Sequence, residues 1–326
     1  MNVVEKNMYA HLLKLWKHFP VSVQERVYPS LRSTGIPYFL SYIAGYEKNH
    51  RLSNFAGNLL HVKEEYLRRS GNERKLLSDH FDAIVDGLVL KNGVKKTTYS
   101  MRHRRVLSEV LGEKKIRIKK EELRVLDVPS SVGTSSLDNY EILSKDYKIS
   151  SYVLGDLYFK IYYDAERGCV YDEDGNLLQT KFKKRFIDIY RPLTSGESYN
   201  ILAHCLLLPF NLMSWFFKKK YGCADTNLYH PIMLLHPDVE QRLKDGTFDI
   251  RKIDVFENIN EQFDMIISFN LLQKNYFPEK LIRRGIENLT NALNEGGLLI
   301  MGNTVSFSVS MKTKGELVLM EKKGDF

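Results

Sequence analysis

Two patterns of hydrophobic spacing follow one another along the chain. Val4, Met8, Leu12, Leu15, Trp16 and Phe19 recur at helical intervals, and Leu52 to Leu67 repeats that spacing before Ser70-Gly71-Asn72 closes it. Breakers at Pro20, Pro29 and Ser33-Thr34-Gly35-Ile36-Pro37 separate the segments, and no strand-like alternation intervenes before residue 80. The spacing therefore predicts an all-helical region over residues 1–84, with a further helix centred on Met101–Leu111.

From Arg124 the pattern changes. Val125-Leu126-Asp127, Ser151–Asp156, Phe248–Asp254 and Phe263–Asn270 are short apolar runs of strand length, the last apolar enough for burial on both faces. Ile282, Ile286, Leu289 and Leu293 form one stripe of a helix, which Gly296-Gly297 is expected to stop; Leu298–Met301 is the next strand. Val305, Phe307, Val309 and Met311 alternate, a Lys-Thr-Lys-Gly turn follows, and Glu316–Met320 returns. This order predicts an α/β protein with a parallel sheet and an antiparallel carboxyl-terminal hairpin.

Two stretches interrupt that order. Residues 159–190 carry aromatic and β-branched runs on either side of Asp174-Gly175, and are read as an inserted β-hairpin. Residues 201–217, ILAHCLLLPFNLMSWFF, are the most apolar part of the chain. Seventeen residues containing His204, Pro209 and Asn211 fall short of the roughly 20 apolar residues of a membrane span. They read as a buried helix broken at Pro209; a lid, or a peripheral membrane contact through 201–220 anchored by Lys218 to Lys220, is the competing reading.

Composition narrows the class. With 43% hydrophobic and 27% charged residues over 326 positions, the chain is neither disordered nor a mini-protein. Its net charge of +8 is concentrated at 102–105, 114–120, 181–185 and 218–220, which suits a solvated surface first and RNA, anionic lipid or a phosphorylated substrate second. Cys169, Cys205 and Cys223 are too far apart for a zinc motif or a disulfide framework, and Lys6, Lys14 and Lys17 interrupt any signal-peptide core. A cytoplasmic location is the resulting expectation, with no metal site.

The chemistry concentrates in RVLDVPSSVGTSS at 124–136. A dinucleotide fingerprint would place glycines where Pro129 and Ser131 stand, and no G-K-[ST] of a phosphate-binding loop is present. A nucleoside ligand without phosphates demands less. It needs one close backbone approach, at Gly133, a carboxylate ending the first strand, Asp127, and a second ending the next, Asp156, which can accept from both hydroxyls of a ribose.

On these residues the chain resembles the class I S-adenosylmethionine-dependent methyltransferases over roughly residues 85–326, with an insertion at about 159–220. The resemblance implies a Rossmann-like seven-stranded sheet and a cofactor site formed by Asp127, Val128, Pro129, Ser130, Gly133, Asp156, Leu157, Asp254, Val255, Asn270 and Leu271. FNLLQKNYFP followed by GGLLIMG adds a weaker similarity to the chemotaxis receptor carboxyl methyltransferases. The implied reaction is direct displacement at an S-adenosylmethionine methyl group by a small-molecule, glycan or lipid acceptor. A hydroxyl acceptor needs a general base, for which His204, His230 and His236 are nominal candidates, whereas a carboxylate acceptor needs none. Adenine and cytosine methylation motifs are absent, so nucleic acid ranks behind these acceptors. A non-catalytic scaffold with a degenerate fold and an RNA methyltransferase are the alternatives.

Overall fold

The computed structural model describes residues 55–324 apart from 97, 113–117, 119, 183–184, 191–200, 275 and 304; side chains of residues 112, 182, 185 and 201–210 are also outside the description. The helices expected before residue 55 lie outside these residues. In chain order the elements are α1 (Phe55–Arg68), α2 (Gly71–Asp86), α3 (Arg104–Gly112), β1 (Glu122–Asp127), α4 (Thr134–Leu143), β2 (Lys148–Asp156), β3 (Lys160–Asp164), β4 (Cys169–Tyr171), β5 (Leu177–Phe182) and β6 (Arg185–Asp188). They continue with α5 (Ile201–Tyr221), β7 (His230–Met233), α6 (Pro237–Lys244), β8 (Phe248–Lys252), β9 (Phe263–Phe269), α7 (Glu279–Asn291), β10 (Leu293–Gly302), β11 (Phe307–Thr313) and β12 (Glu316–Lys323). Two compact units result. One contains Gly87–Lys95, Ile161–Ile232 and the described residues up to His61; the other contains Val62–Asp86, Lys96–Lys160 and Met233–Phe326.

The second unit is built on a seven-stranded sheet in the order β12-β11-β10-β9-β1-β2-β8. Strands β8, β2, β1, β9 and β10 are parallel neighbours, and β11 and β12 close the sheet antiparallel. The fold is Rossmann-like. Its central strands carry continuous apolar runs because both faces are covered there: Val125, Leu154, Met265, Ile267 and Ile300 point into one core, while Leu126, Val153, Ile266 and Leu299 point into the other. Alternation has not vanished from these runs; both of its phases are apolar.

One boundary differs from the sequence expectation. Helix α7 ends at Asn291 with Ala292 as its cap, and Gly296, at φ 75°, sits in a bulge where the β10 register shifts between Leu293 and Leu298. The glycine is needed for a left-handed residue inside the strand, not for the helix stop. At the other end of β10 the chain turns back at once. Asn303 Oδ1 accepts from the backbone of Val305 and Ser306 at 2.9 and 2.8 Å, so β11 lies directly beside β10 and β12 forms the edge.

The first unit carries a five-stranded sheet, β6-β5-β4-β3-β7, in which β3 to β6 are successive antiparallel neighbours. The expected hairpin at Asp174-Gly175 is present as its centre. Asp172 accepts from the backbone of Asp174 and Asn176 at 3.0 and 2.8 Å, and Gly175 stands at φ 78° with Ala224 O too close to admit a side chain. Helix α5 runs through Pro209, contrary to the expected break: an interior proline forfeits one backbone hydrogen bond and crowds the carbonyl four residues earlier, a cost of about 3 kcal/mol that the remaining hydrogen bonds of a 21-residue helix offset. Phe217 of α5 is buried with Cys169, Tyr171, Leu177, Ile187 and Ile189 of the sheet unit, and Met213 and Tyr221 pack against them.

Candidate functional site at the carboxyl edge of the parallel strands

The parallel strands reverse their winding between β1 and β9, and a crevice beyond such a reversal is where open α/β sheets bind ligands. The loop after β1 is held to strands on both sides of that point. Val128 N donates to Ile267 O at 2.9 Å, Ser130 N to Gly155 O at 2.8 Å and Ser131 N to Asp156 Oδ2 at 2.7 Å. Ser131 takes φ 56° and Gly133 φ 83°, the latter immediately before α4.

Each residue expected to touch a cofactor has a definite neighbour. Asp127 is buried and turned toward α4 and β2, accepting from Asn139 Nδ2 and Tyr152 OH, both at 2.9 Å. Burial pushes its pKa up, and those two bonds oppose the shift. Asp156 meets a buried lysine instead. Lys96 Nζ pairs with its Oδ1 and also donates to Tyr158 O at 2.5 Å, the two charged side chains being 2% and 7% exposed. A Cβ at Gly133 would lie 2.7 Å from Val239 Cγ2, so this close approach is made by the chain's own α6.

The remaining positions divide between turn and core. Asp254 Oδ1 accepts from Phe256 N at 2.9 Å, closing a turn that follows the Ile253 N bond to Asp156 O. Val128 and Val255 are buried in the core shared with Leu126 and Val153, and Leu271 packs against it half-buried. Pro129 and Leu157 are half-buried, and Ser130 is buried. Asn270 takes φ 61° and places Nδ2 2.9 Å from His103 Nε2.

His103 was not singled out as a site residue, because the sequence offered it only as part of the basic run at 102–105. Its ring stacks on Phe269 at 4.3 Å, and burial, with Arg102 nearby, pushes its pKa down to about 3, so the ring is neutral at physiological pH. With the Asn270 amide donating to Nε2, the ring proton belongs on Nδ1. Among the described residues that atom is buried without a partner, as are Ser130 Oγ, Ser131 Oγ and Ser268 Oγ.

The nominal bases fare differently. His236 caps α6: its Nδ1 accepts from Asp238 N at 3.2 Å, which leaves Nε2 to donate to Ser78 Oγ at 3.0 Å. Both nitrogens are thus used within the chain. His230 is exposed on β7 of the other unit, and the side chain of His204 lies outside the described residues. No group of His, Cys, Asp and Glu able to hold a metal ion occurs among the described residues.

Comparison by sequence finds no matching protein family and no matching curated protein. Solved structures do match. They include the StiE O-MT segment (13% identity, 61% of this chain, 41% of that one, TM-score 0.27) and N-methyltransferase NodS from Bradyrhizobium japonicum WM9 with S-adenosyl-L-homocysteine (10%, 76%, 72%, TM-score 0.27). A third is an S-adenosylmethionine-dependent methyltransferase from Clostridium acetobutylicum ATCC 824 (11%, 69%, 73%, TM-score 0.30). Those proteins are methyltransferases. The present chain spans about two fifths of the StiE segment it matches, and likeness at these TM-scores does not bear on activity.

Proposed function

We propose that the crevice binds S-adenosylmethionine and that the protein transfers its methyl group to a small-molecule, glycan or lipid hydroxyl or carboxylate. The observation that carries this reading is a set of buried polar atoms along the carboxyl edge that have no partner among the described residues: Ser130 Oγ, Ser131 Oγ, Ser268 Oγ and His103 Nδ1. Buried polar groups are almost always paired, so four on one edge favour a polar ligand there. The cofactor would supply an electrophilic methyl carbon. The chain would align an acceptor with it and exclude water, work that needs few dedicated side chains. Asp156 is the residue to hold a ribose diol, on condition that Lys96 gives way. His103, already neutral, would use its Nδ1 hydrogen to orient an oxygen of the ligand or acceptor.

A second reading has its own support. The Lys96–Asp156 pair satisfies the carboxylate internally and Val239 fills the space at Gly133, as expected of a scaffold that keeps the fold without the cofactor. Titration calorimetry with S-adenosylmethionine and S-adenosylhomocysteine separates the two. Micromolar binding by the wild type that is lost in Asp156→Ala supports the enzyme. A folded wild type and a folded Lys96→Met variant that both fail to bind overturn it in favour of the scaffold. An RNA substrate would reveal itself by steeply salt-dependent RNA binding. Cys169 and Cys223 are both free thiols, which suits the reducing cytoplasm proposed as the protein's location.

A further inference from the structure

Helix α5 has two faces of different character. Met213, Ser214, Phe217 and Tyr221 turn toward the five-stranded sheet's core. Leu212, Trp215, Phe216 and Lys219, spaced i, i+3, i+4, i+7, turn outward, and the three apolar ones are 57%, 60% and 53% exposed. An outward stripe holding Trp, Phe and Leu is not what a solvated helix face carries.

The carboxyl end of the same helix opens on a cavity of about 710 Å³ lined by Arg167, Lys218, Lys219 and Lys220 with tyrosine walls. Lys218 Nζ stands 4.1 Å above the Tyr190 ring, and Lys219 Nζ 5.3 Å from the Trp215 ring, so Lys219 belongs to both the cavity and the apolar stripe. Among the described residues no carboxylate pairs with Lys218, Lys219 or Lys220, whereas Arg167 has Asp164 at 3.6 Å. Burial, and to a lesser extent the nearby charge of Lys91, depresses the Lys218 pKa. The helix dipole offsets only about half a unit charge at this end.

We propose that this face docks on an anionic lipid bilayer. Helix α5 lies in the interfacial plane with Leu212, Trp215 and Phe216 at the acyl boundary, the lysines reach the phosphate layer, and the cavity receives a headgroup phosphate. Charge complementarity selects this occupant: the stripe alone would suit any apolar surface, but the uncompensated lysines beside it require an anionic one. Among the described residues no helix is long and apolar enough to cross a membrane, and the contact proposed is a peripheral one. The proposal concerns the unit that does not hold the crevice and is independent of the cofactor reading.

The test is co-sedimentation of the full chain with phosphatidylcholine vesicles and with vesicles also containing phosphatidylserine. A Trp16→Phe background leaves Trp215 as the only tryptophan reporter. Binding to the anionic vesicles alone is expected, with a blue shift of Trp215 emission and no displacement by millimolar inorganic phosphate. Joint replacement of Lys218, Lys219 and Lys220 by Gln should weaken it roughly 100-fold, about fivefold for each charge. Trp215→Ala with Phe216→Ser should weaken it at least about tenfold; these side chains are exposed, so the variant is expected to fold. Equal binding to both vesicle types, indifference to both variants, displacement by inorganic phosphate without a blue shift, or binding of single-stranded RNA but not vesicles would each overturn the proposal.

Discussion

Replacing Lys96 by Met tests the stability and the function of the crevice together. The lysine and Asp156 are almost fully buried, and removing one partner of a buried ion pair costs about 3–5 kcal/mol because the other charge is stranded. Among the described residues Asp156 would keep the backbone donors of Ser131 at 2.7 Å and Tyr158 at 3.4 Å. For a unit of this size each kcal/mol moves the melting temperature by about 2–4 °C, so Lys96→Met should melt roughly 6–20 °C below the wild type. Adding Asp156→Asn removes the stranded charge and should recover at least half of that loss, since the amide oxygen still accepts from Ser131 N. Thermal unfolding followed by circular dichroism gives all three values. If the crevice binds the cofactor, S-adenosylhomocysteine at about 100 times its Kd adds about 2.7 kcal/mol to whichever form it binds, and Lys96→Met should gain more than the wild type at equal concentration. A Lys96→Met protein that melts within about 1 °C of the wild type would refute the reasoning, because the pair would then contribute nothing.

Asp82, which accepts from Thr134 Oγ1 at 3.0 Å, has its pKa pushed up to about 7 by burial. Between the ordinary 3.8 and about 7 the folded state holds a proton that the unfolded state has released, so this group's contribution to stability falls as pH rises through that window. Asp82→Asn should therefore gain melting temperature over the wild type as pH rises from about 4 to 7 and hold the gain above it; a difference that stays flat with pH counts against the shift. Gly133→Ala should cost about 2–4 kcal/mol, combining left-handed strain with the collision at Val239, and chemical denaturation should find Val239→Ala returning part of it. His236→Ala, which loses a helix cap and strands Ser78 Oγ, should cost about 1–3 kcal/mol, whereas His236→Asn keeps the cap and should leave the proposed methyl transfer intact; lost turnover in a stable Asn variant would restore His236 as a candidate base.

The strands were legible because their length and apolar phase are local properties: FDMIISF announces a doubly covered strand without reference to anything else in the chain. Gly296 was misplaced because one signal serves two purposes, and a left-handed glycine soon after a helical stripe fits a helix stop and a strand bulge equally well. Pro209 was misjudged for a related reason, since a lost backbone donor does not by itself decide whether a helix continues. In the crevice the limit is distance along the chain. Asp127 and Asp156 stand at the strand ends the sequence indicated, but Tyr152 is 25 residues from Asp127, Lys96 is 60 from Asp156 and His103 is 167 from Asn270. A carboxylate at a strand end is a local feature; the group that answers it is a tertiary one. Lys96 therefore bears more on function than the unusual Pro129-Ser130-Ser131 loop. The loop's backbone donors at Val128, Ser130 and Ser131 are spent on its neighbouring strands, whereas the lysine occupies the carboxylate that the proposed cofactor would need.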